Sequence, residues 1–160
     1  MRRAATAVSL ARRLELDVSY ASRSPWVPGA RQLCTWAAAA LKSSKQPMVL
    51  SVRVVGRARS RRLNAHYRHK DKPTNVLSFV GAGALPDGRY FLGELVICAP
   101  VVAMEARAQD KSLRAHWAHM TVHGVLHLQG FDHERTREAA KMAAREVQIL
   151  DRLGFSNPYL

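Results

Sequence analysis

Cysteine is scarce in this chain: Cys34 and Cys98 stand alone in apolar surroundings, with no Cys-x-x-Cys pair and no framework of partners. That argues against a disulfide scaffold and suits a reducing compartment, so a cytoplasmic location is expected. No apolar run reaches the roughly 18 residues that a membrane span needs, so no membrane partner is expected. Acidic residues are also few, 12 against 25 Lys and Arg, and the shortage is local. Residues 1–72 hold 16 basic and 3 acidic side chains, whereas residues 73–160 hold 9 of each. The net charge of +13 therefore belongs to one half of the chain. A basic surface of that size suits a phosphate backbone, although charge alone fits a solvated face equally well. A chain of 160 residues is sized for one domain that needs no staples.

What is abundant is histidine in one place. The stretch His123-Gly124-Val125-Leu126-His127-Leu128-Gln129-Gly130-Phe131-Asp132-His133 follows a run from Leu113 with almost no charge and apolar residues on every side. That pattern predicts a helix over about 113–128, buried all round. Four residues apart, His123 and His127 would stack with Cβ atoms roughly 5–6 Å apart, close enough for two ring nitrogens to share an ion. Gly130 can end the helix in a left-handed conformation and turn the chain so that His133 reaches the same ion. Three nitrogen ligands without a fourth leave an open position, the arrangement of a working zinc. A single histidine here would be read as a core residue bonded to a carbonyl; three around a glycine favour the metal. The pair His119 and His123 offers the same spacing, and the position of His133 just beyond His127 decides for the later pair.

These residues are similar to a known signature, His-Gly-x-Leu-His-Leu-x-Gly-[Tyr/Phe]-Asp-His, that of the YbeY-type endoribonucleases, bacterial rRNA maturation factors. The resemblance extends upstream to Leu63-Asn64, to the run from Tyr67-Arg68-His69-Lys70-Asp71-Lys72-Pro73-Thr74-Asn75 through Val76-Leu77-Ser78-Phe79, and to Gly93-Glu94-Leu95-Val96-Ile97. It covers nearly the whole chain from about Leu14. Val80 stands where a proline usually follows Ser-Phe, and Glu94 where aspartate is common. The resemblance implies rRNA as substrate and, as partners, the small ribosomal subunit, a small-subunit ribosomal protein and an Era-type GTPase. It also places the family's essential arginine at Arg68.

The rest of the chain supplies a scaffold. Residues 1–13, basic and without acids, are expected as a basic tail, with a single domain over 14–160. Strands are expected at Leu14–Tyr20 and Met48–Val55 from alternation, the second also from β-branched content; strands are expected too at Val76–Phe79 and Tyr90–Cys98, with 81–89 as a Gly/Pro/Asp loop. Helices are expected over about 30–42, 58–67, from Pro100 to about 109, and over about 135–153, the last with Ala140, Ala144, Val147 and Leu150 inward. The fold class is α+β, a small mixed sheet of about four strands packed with helices around the metal helix.

One zinc per chain, held by His123, His127 and His133, would acidify water or act on a phosphoryl oxygen as a Lewis acid, and either role suits hydrolysis. A zinc protease with a His-Glu-x-x-His helix keeps a glutamate after its first histidine; here that place is Gly124, so nuclease ranks above protease. Arg68 is the candidate catalytic residue, a guanidinium for transition-state charge on the phosphate. Asp132 is either an acceptor that orients a ligand imidazole or a cap for the last helix, and His119 is a second candidate supporting residue. Arg59, Arg61, Arg62, Lys70, Lys72, Asn75 and Ser78 are candidates for RNA contact. The expected function is a zinc-dependent, single-strand-selective endoribonuclease of rRNA maturation and ribosome quality control. The alternatives are a non-catalytic assembly factor with a structural zinc and, below it, a zinc protease.

Overall fold

A computed structural model describes residues 3–21, 25–132 and 134–160. Five strands form one mixed sheet in the order β1-β2-β3-β5-β4: β1 Arg3–Ser9, β2 Leu14–Tyr20, β3 Met48–Val55, β4 Val76–Ala84 and β5 Tyr90–Cys98. The central pairings β2/β3 and β3/β5 are parallel, and the outer pairings β1/β2 and β4/β5 are antiparallel hairpins. Parallel neighbours need a crossover, and α1 (Ala30–Ala39) supplies one between β2 and β3. The segment from β3 to β5 carries α2 (Arg57–Arg68) and then β4, which delivers β4 to the sheet edge.

Two apolar clusters lie in the fold. Leu14, Leu16 and Val18 of β2 with Leu50, Val52 and Val54 of β3 alternate onto one face and are essentially without solvent contact. Leu33, Trp36, Ala37, Ala40 and Leu41 meet them there, the inward side expected for the first helix. The smaller cluster, Val55, Leu77, Val96, Cys98 and Val101, packs with Leu63 and Phe79. Both cysteines are free and buried. Short helix α3 (Ala99–Ala108) opens with Pro100 in its first turn, where a missing N–H costs nothing.

Helix α4 (Leu113–Leu128) keeps its expected span, but it is not buried all round: Arg114 in its first turn is exposed, and His123 and His127 are half-buried. The Ser112 side chain caps its first turn by accepting from the Ala115 N–H at 3.1 Å. At the other end Gly130 takes φ +93°. Its N–H bonds the His127 carbonyl and the Phe131 N–H bonds that of Leu126, at 3.0 and 3.1 Å, a Schellman turn. At Gly124 the helix packs close against the sheet. A Cβ there would lie 2.8 Å from Leu95 Cδ2 and 3.3 Å from Val76 Cγ2.

Three expectations need correction. The segment read as a basic tail supplies β1, whose seven residues pair in register with β2; five strands result instead of about four. Its run of small residues gives little alternation to read. The stretch 81–89 is not all loop: β4 continues to Ala84 across an irregular register between Val80 and Gly83, and only the turn around residues 85–89 leaves the sheet. The last helix, α5 (Thr136–Arg152), buries Met142, Glu146, Ile149 and Leu150, while Ala140 and Ala144 are exposed and Val147 is half-buried. A glutamate on the inward face hid the true stripe. No described helix is long and apolar enough to cross a membrane.

Candidate functional site

Helix α4 presents His123 and His127 on one side, with ring centroids 4.7 Å apart. They form one wall of a cleft of about 600 Å³ whose other lining residues include Tyr67, Arg68, Asn75, Ser78, Phe79, Asp132 and Glu134. Arg68, Asn75, Ser78, His123, His127 and Asp132, expected from the sequence as site residues, are thus brought together. His133 lies outside the described residues. Ser78 reaches the helix itself, its Oγ donating to the Gly124 carbonyl at 3.3 Å.

Behind the cleft stands a residue that the sequence reading missed. Glu146 of α5 has no solvent exposure and receives three hydrogen bonds. His119 Nε2 donates to one oxygen at 2.8 Å, His123 Nδ1 to the other at 2.5 Å, and the Tyr159 hydroxyl joins the first. A carboxylate only accepts, so the ring nitrogens facing it carry the protons. With Nδ1 of His123 committed in this way, Nε2 is the ring atom that would carry a metal. Burial by itself raises the Glu146 pKa, but the bonds from His119 and His123, the charge on His123 and the bond from Tyr159 outweigh it and bring it to about 2. Burial and the same bond push Tyr159 upward.

His119, His123 and Glu146 place ligand atoms within 4.8 Å of one another, a group that could hold a metal ion. The nitrogen–oxygen separations of 2.5 and 2.8 Å are those of hydrogen bonds. Tetrahedral ligands at about 2.0–2.1 Å from an ion would stand about 3.3 Å apart. As arranged, the carboxylate therefore orients the rings, and the cleft side of His123 with His127 is the roomier place for a cation. His119 stands one step further back, on the same carboxylate that holds His123.

Arg68 is the last residue of α2. Its neighbour His69 takes φ +58° and ends the helix with its N–H on the Asn64 carbonyl. The chain from there to β4 is tied down: Asn64 Nδ2 donates to the Lys72 carbonyl at 2.8 Å, and Ser60 Oγ exchanges bonds with the Thr74 backbone at 2.9 and 3.0 Å. The connection that follows Arg68 is thereby held against α2 itself. Asn75 is engaged inside the protein, its Nδ2 on Glu105 at 3.0 Å and its Oδ1 on the Val76 N–H at 2.6 Å. Glu105 in turn receives His116 Nε2 at 3.1 Å. Burial raises the Glu105 pKa, and the bonds from His116 and Asn75 overcome it, for a net lowering.

The remaining RNA candidates lie away from the cleft lining. Arg61 makes a two-pronged pair with Asp71 at 2.7 and 2.9 Å. It borders, with Arg62, a shallow groove along α2. Arg59 is half-buried, and Lys70 and Lys72 are exposed. Asp132 does not cap α5, whose N-cap is Arg135. Its Oδ1 accepts from the Glu134 N–H at 3.0 Å, a local turn beside the cleft. Glu146, Glu105 and Tyr159 carried no motif. The one available signal was an acidic residue on the same helical stripe as Met142 and Ile149.

The family model described as "Endoribonuclease YbeY" matches residues 20–154. An Endoribonuclease YbeY of Stenotrophomonas maltophilia is 50% identical over 151 residues, which are 92% of this chain and 94% of that one. A Thermotoga maritima protein solved in solution superposes with a TM-score of 0.46 at 22% identity, over 77% of this chain and 79% of that chain.

Proposed function

Because the chain belongs to the Endoribonuclease YbeY family, which supports an endoribonuclease role in rRNA processing, we propose that it is a zinc-dependent endoribonuclease selective for single-stranded RNA. The observation that carries this reading is the meeting of Arg68 with His123 and His127 in one cleft. His123, His127 and His133 would hold the ion, one per chain. Imidazole nitrogens suit zinc, and the Glu146 bond to His123 Nδ1 is the support that ligand histidines ordinarily have. When bound, the ion supplies Lewis acidity at the scissile phosphate and acidifies water near neutral pH.

The chain's own groups do the rest. Arg68 offers a fixed guanidinium to the negative charge that gathers on the phosphate oxygens. Glu146, clamped by Tyr159 and His119, keeps the His123 ring from turning. Asn75 anchors the start of β4 through Glu105 rather than reading RNA itself, and Ser78 ties that strand to α4. The basic helix α2 flanks the cleft and favours a polyanion. Gly124 bears against Leu95 and Val76, so the place that a zinc protease gives to its glutamate has no room for one. In the cell, action on rRNA in the small ribosomal subunit, ribosome quality control, cytoplasmic location, and contact with a small-subunit ribosomal protein and an Era-type GTPase complete the proposal.

Elemental analysis of purified protein is expected to find about one zinc per chain, and a metal-free wild type would remove the ligand assignment. Arg68→Glu is expected to end RNA cleavage while zinc content and melting temperature stay put; unchanged cleavage moves the phosphate clamp elsewhere. Comparing metal-stripped with reloaded protein on the same RNA separates the enzyme from an assembly factor with a structural ion. Product end groups identify the nucleophile, since attack by the ribose 2′-hydroxyl leaves a cyclic phosphate.

A further inference from the structure

We propose that Tyr67 is a nucleobase platform: an unpaired base of the RNA stacks on its ring while Arg68 holds a neighbouring phosphate. This rests on the RNA-cleaving reading and adds to it the contact that selects single strands. Among the exposed aromatics Trp26, Tyr67, Tyr90 and Tyr159, Tyr67 is the one that lines the cleft. It is 58% exposed, yet it is not loose. Its ring meets Phe79 of β4 at 4.9 Å between centroids and 68° between planes, and His66 at 4.6 Å and 88°. Neither neighbour lies parallel to it. The contacts fix the plane of the ring and leave more than half of the side chain open toward the solvent and the cleft.

The chemistry of the adjacent residue names the ligand. Every nucleotide brings one flat base and one phosphate, and consecutive residues 67 and 68 offer one aromatic face and one guanidinium. A purely apolar ligand would use the ring but leave the cation beside it without a partner. In a duplex both faces of a base are covered by its neighbours, so only a strand free of its complement can swing a base onto Tyr67. Every base has such a face, so the contact discriminates strandedness and not sequence.

The test uses the full-length, zinc-loaded protein and a short single-stranded RNA, with affinity read by fluorescence anisotropy and with matched RNAs in which a single abasic ribose is moved along the strand. Tyr67→Ala is expected to weaken binding of the intact RNA about ten- to hundredfold. Tyr67→Trp restores it, and Tyr67→Leu, which keeps apolar packing on Phe79 without a π face, stays as weak as alanine. At one position the abasic ribose weakens the wild type by a similar factor and adds nothing to the loss in Tyr67→Ala. If abasic and alanine losses simply multiply at every position, or if Tyr67→Leu binds as the wild type does, the platform is wrong and the nuclease reading survives. If the wild type binds no RNA at all, both fall together, and that outcome is visible before any variant is made.

Discussion

The two halves of α4 carry the same side chain to different ends. In the first half His116 and His119 are buried at 2% and 8% exposure; each gives its Nε2 proton to one carboxylate, and among the described residues neither has a hydrogen-bond partner for Nδ1. In the second half His123 and His127 are only half-buried and stand in the cleft wall. The i, i+4 pairs look alike on paper, yet the rings of His119 and His123 lie 6.3 Å apart, against 4.7 Å for His123 and His127. What separates them is the neighbouring element. Helices α3 and α5 each push a glutamate against the first half, and the strand β4 and the connection after Arg68 leave a cavity beside the second. Glu146 joins the halves, with one oxygen for each.

The most severe way to probe that contrast is to delete one imidazole from each half. His127→Ala is expected to lose zinc entirely by elemental analysis while melting changes little. His116→Ala should keep the metal and lose roughly 1–3 kcal/mol in urea unfolding, because Glu105 forfeits a buried donor. If both variants lose zinc, the halves are not functionally distinct. Glu146→Gln tests the joint between them. It should weaken zinc, measured by chelator competition, by about 10–100-fold without unfolding the protein. An unchanged affinity would make Glu146 a core residue only.

A smaller effect is expected on the helix face turned to the sheet. Gly124→Ala gains about 1 kcal/mol in helix propensity, but its methyl meets the buried Leu95 side chain at 2.8 Å, and overpacking typically costs about 1–3 kcal/mol. A net loss of roughly 1 kcal/mol in chemical unfolding is the outcome expected; a net gain would mean that Leu95 moves aside. The mildest signal is in acid. Glu146 titrates near 2 when folded and near the ordinary glutamate value of about 4.3 when unfolded. Its contribution is therefore complete above about pH 4.3 and fades as pH falls toward 2. Metal-free Glu146→Gln should lose less stability across that window than the metal-free wild type, and parallel curves would contradict it.

The sequence carried the parts of this molecule that repeat a pattern. Leu113–Leu128 declared itself by apolar residues all round, Gly130 marked its far end, and β2 and β3 could be read from their alternation to the residue. Where side chains say little, the reading failed: β1 is a row of small residues whose place is set by pairing with β2. The inward face of α5 was misjudged because a buried charge counts against burial until its partners are known. Those partners, His119, His123 and Tyr159, come from another helix and from the chain's last turn. Arg68 was visible through the motif around it. Its stiff mounting, through Asn64, Ser60 and Thr74, is a set of contacts that no local spacing encodes.

Helix α4 is at once the bearer of the cleft imidazoles and the keel of the fold, with Trp117, Val122, Val125 and Leu126 sunk in the interior. Reactivity and thermodynamic solidity are therefore vested in one element, and drift along its sequence is penalised twice. Diversification of what the cleft accepts must then fall to the opposite bank, where the exposed Tyr67 can change with little penalty to the frame.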